Sequence, residues 1–362
     1  MIKILFLIDG LRSGGKERRL FSLIEKLHLD RFYRIEIVVL NPDIHFLKIN
    51  EFKIGFHILD RKKYNSFLLF KKLFKIFTDF KPNIVHTWDT LSTLYAIPLA
   101  KAFNKKLIVS KITDAPHFYT KASVFGILSE ICFYFADLIL ANSNAGINAY
   151  RVSERKSQVI YNGFDFDRIK NLIPQLKVKR KFNISEHFLV GMAASFNANK
   201  DYETFLSSAQ LVRKEYPNIG FVCIGDGKLR KHLENKYAAS GIYFTGKQQD
   251  VESIMNTCSI GVLLSNNGEG ISNSLVEFMA LKKLVIASAT GGNLELIENN
   301  VSGLLLIEND SKLLAKTIIF CYNNKEYCQR MGIKGRERIA TYFEISLMVD
   351  KFKTVYNKIY CQ

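Results

Sequence analysis

The stretch IGVLLSNNGEGISNSLVEFMALKKLVIASAT (260–290) reads as one complete repeat of a parallel sheet. IGVLLS (260–265) is a continuous apolar run of strand length, and NNGEGIS (266–272) is a polar, glycine-containing loop. From Asn273 or Ser274 a helical pattern runs to about Lys283, and LVIASAT (284–290) then opens a second apolar strand. Strands that are apolar on both faces and separated by helices belong to parallel sheets covered on both sides.

The same rhythm extends in both directions. The first half offers strands at 2–9, 34–40, 83–88, 107–112, 137–143 and 158–163, the second at 188–195, 219–225, 242–246, 260–265, 284–290 and 303–307. Two such series make an α/β chain of two Rossmann-like, doubly wound domains, as a length of 362 residues also suggests. The expected division is 1–165, a charged and weakly periodic linker at 166–186, a second domain at 187–342, and a last amphipathic helix at 343–362 that returns to the first domain. In each sheet the carboxyl ends of the strands form a crevice, and two crevices facing each other would make an interdomain ligand cleft.

The formal charge of +17 asks for an acidic partner: nucleotide phosphate, anionic lipid or nucleic acid. Six scattered cysteines, without a CxxC pair or clustered histidines, point to a reducing compartment and away from structural zinc. The apolar start before Asp9 is too short for a signal segment, and the run 125–141 contains Glu130 and Asp137, so no membrane span is expected. The expected location is cytoplasmic.

Within the opening stretch, Ser274-Leu275-Val276-Glu277 fits a capping box, in which Glu277 would reach back to the cap's own N–H. Glu269 would then be a loop charge. The other reading starts from the strand end, the glycine turn and the helix start. Together they form a phosphate cradle of N–H groups and positive dipole. A carboxylate on the first helical turn beside it suits ribose hydroxyls, and one on the preceding loop suits a sugar beyond the phosphates.

Glu269 and Glu277, with seven residues between them, followed by MALKKLVIASATGGNLELIENNVSGLLL, resemble the E-x7-E signature of the retaining GT-B glycosyltransferases, family 4 in particular. LIDGLRSGGKERRL (7–20), VIYNGFD (159–165), GMAASFNANKDYETFL (191–206), GDGKLRKHLE (225–234) and FTGKQQDV (244–251) match further segments of that family in order, so the resemblance spans nearly the whole chain. It implies that Glu277 binds the nucleotide ribose and that Glu269 binds the donor sugar, with the N–H groups around Gly270, Ile271 and Ser272 nearby. It places the diphosphate at the helix start, Ser274 and Leu275, with Lys200 neutralising it as it leaves. Gly14 and Gly15 would let the first domain's loop approach the donor, and Lys247 and Val251 would lie against the base.

Two departures stand out. An arginine common five residues before the family lysine is here Ser195, so Arg12, Lys16 or Arg18 would have to help Lys200. The family's histidine after the fourth strand is replaced by Ile112 or Thr113, with Asp114 and His117 as the nearest candidate catalytic groups. A retaining reaction in which the departing phosphate takes the acceptor's proton needs no such base. No metal and no further cofactor are expected, since helix dipole and lysine can compensate the charge. His86 reads as structural or as cleft lining, and Asp165-Phe166-Asp167 as a turn rather than a metal site.

The segment 61–81 carries Arg61, Lys62, Lys63, Lys71, Lys72 and Lys75 among phenylalanines and leucines. It is either a solvated helix over a core stripe or a basic amphipathic face for anionic lipid. No nucleic-acid motif accompanies the charge. The resulting expectation is a retaining hexosyltransferase that uses UDP- or GDP-sugar. Its acceptor would be a lipid-linked glycan in bacterial surface-polysaccharide synthesis, at the inner face of the membrane. Its rivals are a nucleotide-sugar epimerase of the same architecture and a catalytically silent binding subunit.

Overall fold

The computed structural model describes residues 1–12, 14–110 and 123–361. The chain forms two compact units, residues 1–163 with 345–362, and residues 164–344. The chain passes between them at Gly163/Phe164, two residues before the boundary read from the sequence. Residues 166–186 belong to the second unit rather than to a connector: Ile173 N–H donates to Ser253 Oγ (2.8 Å), and the Gln175 side chain donates to Asn256 O (2.9 Å). Polar anchoring of this kind has no apolar periodicity to announce it.

The first unit is a seven-stranded parallel sheet of β1 (Ile2–Ile8), β2 (Tyr33–Val39), β3 (Gly55–Ile58), β4 (Ile84–Thr87), β5 (Lys106–Ser110), β6 (Leu138–Ala141) and β7 (Ser157–Val159). Their order is β3-β2-β1-β4-β5-β6-β7. The sequence reading misses β3, a four-residue edge strand, GFHI, that is half-buried and, among the described residues, pairs only with β2. Period-two alternation in β1 splits the core. Ile4 and Phe6 face the helix Gly15–Leu27 and the C-terminal helix Ile345–Tyr360, while Leu5 and Leu7 face the helices Ser66–Phe80, Thr90–Ala102 and Val124–Phe135.

One polar group in that core is costly. Arg19, on the helix Gly15–Leu27, is 3% exposed; it donates to Ile160 O and lies over the rings of Trp88 and Phe352. Its Nε and Nη1 have no partner, and among the described residues no carboxylate pairs with it. Burial pushes the guanidinium down to about 9. Replacing an uncompensated buried charge by an apolar side chain of similar length is often stabilising. Arg19→Met is therefore expected to raise Tm by about 2–4 °C in thermal denaturation; a lower Tm would show that the bond to Ile160 outweighs the desolvation.

His86 is fully buried, between Tyr356 Oη (2.8 Å from Nδ1) and Ser110 Oγ (2.8 Å from Nε2). Burial and the charge of Arg19 keep its pKa well below the usual histidine value. It is a neutral core histidine that ties the C-terminal helix to β4.

The second unit is a six-stranded parallel sheet of β8 (Phe188–Ala193), β9 (Ile219–Ile224), β10 (Ile242–Gly246), β11 (Ile260–Leu263), β12 (Leu284–Ser288) and β13 (Leu304–Leu306). Its order is β10-β9-β8-β11-β12-β13. Strand order therefore reverses direction between β8 and β11, which is where an open parallel sheet leaves a crevice at its carboxyl edge.

Candidate active site

The two loops that leave the carboxyl ends of β8 and β11 meet at that reversal. Lys200 forms an isolated antiparallel bridge with Ser265, and Asp201 N–H donates to Leu264 O (3.0 Å). The pairing aims the Lys200 ammonium at the Glu269 carboxylate, with which it forms an ion pair; the two side chains are only 16% and 19% exposed. Ser265 Oγ donates to the same Glu269 oxygen at 3.0 Å. Ser265 is held in turn by Ser288 and Asn309, whose side chains bond its N–H (3.0 Å) and C=O (3.1 Å). Burial pushes the Lys200 ammonium down to about 8, while the touching carboxylate of Glu269 favours the charged form.

The backbone after Glu269 is tightly drawn. Gly292 N–H donates to Glu269 O (2.6 Å), and a Cβ on Gly292 would lie 2.5 Å from the Gly270 carbonyl carbon, so only glycine permits the approach. Gly270, Ile271 and Ser272 are buried in this turn.

The helix that follows is Asn273–Ala280, with Ser272 as its N-cap, and Ser272 makes no side-chain cap bond; its Oγ lies 3.1 Å from Ser274 Oγ. Ser274 is thus the second helical residue and Glu277 the fifth, which rules out the capping box that the spacing suggested. The Glu277 carboxylate instead bonds Arg168 (Oε1 to Nη2, 2.9 Å), and the same Nη2 reaches Glu252. Glu277 and Glu252 are 3% and 7% exposed. Leu275, fully buried, anchors the helix start in the core.

The remaining expected residues are more scattered. Ser195 is exposed at the end of β8, where its Oγ accepts from Asn197 (2.7 Å). Lys247 is exposed just past β10, and Val251 begins the helix Val251–Thr257, capped by Asp250. Gly14 and Gly15 lie in the first unit, where Gly14 is the N-cap of the helix Gly15–Leu27 in extended backbone that any residue adopts. In that unit Arg12 pairs with Asp43 (2.8 Å) and Lys16 with Asp89 (3.3 Å). Asp165 accepts from Asp167 N–H and Asp167 pairs with Lys170 (2.6 Å), so both serve their own turn. Asp114 and His117 lie outside the described residues. Among the described residues, no group of three or more histidine, cysteine or acidic side chains could hold a metal, and no helix is long and apolar enough to cross a membrane.

Arg168 and Glu252 are the site residues that sequence reasoning missed. Arg168 sits 109 positions from Glu277, beyond any local spacing, and only its place just after NGFD could have drawn attention to it.

Residues 13–168 match the family described as Glycosyltransferase Family 4, and residues 174–338 match Glycosyl transferases group 1. The chain is 26% identical over 361 residues to the GalNAc-alpha-(1->4)-GalNAc-alpha-(1->3)-diNAcBac-PP-undecaprenol alpha-1,4-N-acetyl-D-galactosaminyltransferase of Campylobacter jejuni, covering 96% of each chain. It is 25% identical to an uncharacterised glycosyltransferase of Methanocaldococcus jannaschii, covering 96% of this chain and 95% of that one. Among solved structures, HepE of Anabaena in complex with UDP and glucose superposes with a TM-score of 0.87 at 18% identity, over 99% of this chain and all of that one.

Proposed function

The chain is a GT-B glycosyltransferase resembling family 4, and we propose that it transfers a hexose-type sugar from a nucleotide diphosphate to a hydroxyl of a lipid-linked glycan, with retention, in bacterial surface-polysaccharide assembly. One observation carries the reading. Lys200 and Glu269, from the two loops flanking the strand-order reversal of the second unit, are in contact and largely sequestered from water. A sugar diphosphate with its phosphates at the helix start Asn273–Ala280 would meet Lys200 at the leaving oxygen, Glu269 at the sugar hydroxyls and Glu277 at the ribose.

In the transfer, the bond from the sugar's anomeric carbon to the β-phosphate oxygen breaks and its electron pair stays on that oxygen. The acceptor hydroxyl bonds the carbon from the same face and gives its proton to the departing phosphate. Lys200 stabilises charge that exists only as the bond breaks, which is where a fixed cation accelerates most. The lysine and the helix dipole supply charge compensation that leaves the reading without need of a metal.

The Campylobacter relative is named for a polyprenyl diphosphate acceptor, and HepE for UDP and glucose complexes, so UDP-sugars and undecaprenyl-diphosphate glycans are the first pair to test. A membrane-proximal acceptor also suits the helix Ser66–Phe80. Leu69, Leu73 and Phe77 are core, but Phe67 and Phe74 are exposed beside Lys71 and Lys75, with Arg61, Lys62 and Lys63 exposed just before the helix and Lys72 partly so. Basic charge interleaved with exposed aromatics suits an anionic lipid surface.

The experiment is transfer from a panel of UDP- and GDP-sugars to a synthetic undecaprenyl-diphosphate glycan, in EDTA, with the product's anomeric proton read by NMR. Transfer with the donor's configuration kept is expected. An inverted product would overturn retention. Release of an epimerised sugar without acceptor, or binding without turnover, would replace the transferase with one of its rivals.

A further inference from the structure

Three elements of the second unit converge on one guanidinium. Arg168 comes from the short turn Phe166–Ile169, Glu252 from the helix after β10, and Glu277 from the helix after β11. Nη2 of Arg168 bonds both carboxylates, and its guanidinium carbon lies 5.1 Å from the centre of the Phe164 ring, which walls one side. Burial works against the charge on Arg168, but the two carboxylates outweigh it and hold the guanidinium above its ordinary pKa.

The count of charges is what matters here. Two nearly buried carboxylates share the Arg168 guanidinium. Without that cation, two acids sharing a low-dielectric site do not both ionise; one takes up a proton. A glutamate accepts from two ribose hydroxyls best as a carboxylate, since a protonated carboxyl is the weaker acceptor and turns one oxygen into a donor. The bond from Arg168 to Oε1 also fixes how the Glu277 carboxylate is turned.

We propose that Arg168 is a positioning residue for the donor-binding glutamate: it cancels the charge of Glu252 and holds Glu277 ionised and oriented for the nucleotide. The inference rests on the reading of Glu277 given above. As a positioning residue Arg168 acts through Glu277. Its loss is felt in donor binding and KM, with little change in kcat once donor is saturating.

The test uses the full chain and UDP as probe, with calorimetric Kd, steady-state KM and kcat, and thermal denaturation on each variant. Arg168→Gln is expected to weaken UDP about tenfold and to raise donor KM with kcat nearly held. Arg168→Lys, which keeps the charge, should fall between it and the native protein. Arg168→Gln combined with Glu252→Gln removes the cation together with the charge it offsets, and should recover most of the lost affinity. That double variant has the same net charge at the site as the native triad, one negative, so it also serves if the single one folds poorly.

Affinity in Arg168→Gln equal to native, or a double variant no better than the single, would reduce Arg168 to a packing role and overturn the proposal. Glu277→Ala separates the two layers. If it binds UDP as the native protein does, the donor site itself is misplaced. If it loses UDP while Arg168→Gln does not, only the role of Arg168 fails.

Discussion

Lys200→Ala lowers kcat by about 10²–10³-fold while leaving donor KM within a few-fold of native, the loss expected when a preorganised charge facing the leaving group is removed. The lysine is held for that task. Its backbone is bridged to Ser265, its ammonium rests on Glu269, and burial lowers its pKa to about 8. The pKa gives the prediction a second edge. UDP, which carries on its terminal phosphate the charge that the intact donor lacks, selects the charged ammonium and raises its pKa on binding. Below pH 8 Lys200 is already protonated and affinity is flat; above it, each binding event must also capture a proton. UDP affinity at pH 9 is therefore expected to be about tenfold weaker than at pH 7. Lys200→Arg, charged throughout this range, should abolish that slope even if its geometry costs turnover. Steady-state kinetics and titration calorimetry at the two pH values check both parts, and an equal slope in the arginine variant would assign the titration to another group.

Glu277→Ala is the second large effect. A hydrogen bond to a charged group contributes about 1.5–3 kcal/mol, so losing even one ribose contact weakens UDP by about 10- to 150-fold. The variant also leaves Arg168 paired with Glu252, a balanced pair, so the fold should hold and thermal stability without nucleotide should change little. If UDP bound Glu277→Ala and native protein alike, Glu277 would be no more than a buried structural acid. A lower Tm together with weak binding would show that the triad contributes mainly to the fold.

Much of the architecture was legible because parallel strands buried on both faces leave continuous apolar runs. Twelve of the strands fall where those runs predict them, most ending a residue or more earlier than the apolar run, where the pairing stops. β3 escaped because a half-buried edge strand pairs on one side only and needs no apolar run. The segment 166–186 reads as a connector because its attachment to the second unit is polar and long-range, through Ile173, Gln175 and Arg168, and such bonds leave no period in the sequence.

The site divides in the same way. The loop–helix context that singled out Glu269 and Glu277 is local and was readable; the partners of those acids were not. A serine three residues before Glu277 suggested a cap, but the helix starts at Asn273 and the carboxylate turns to an arginine 109 residues away. In the sequence Lys200 stands out only through its resemblance to a family lysine. The structure supplies the physical reason for its position, a backbone bridge between two loops that lie far apart in sequence.

The most direct test of a donor site in the second unit is a thermal-shift titration of the native protein with UDP, GDP and their sugars. A nucleotide at a hundred times its dissociation constant stabilises the folded state by about 2.7 kcal/mol, a shift of several degrees. Stabilisation by one nucleotide class, diminished in Glu277→Ala, is the expected result and would fix the base. Native protein unmoved by every nucleotide and nucleotide sugar, at concentrations up to the millimolar range, would contradict it.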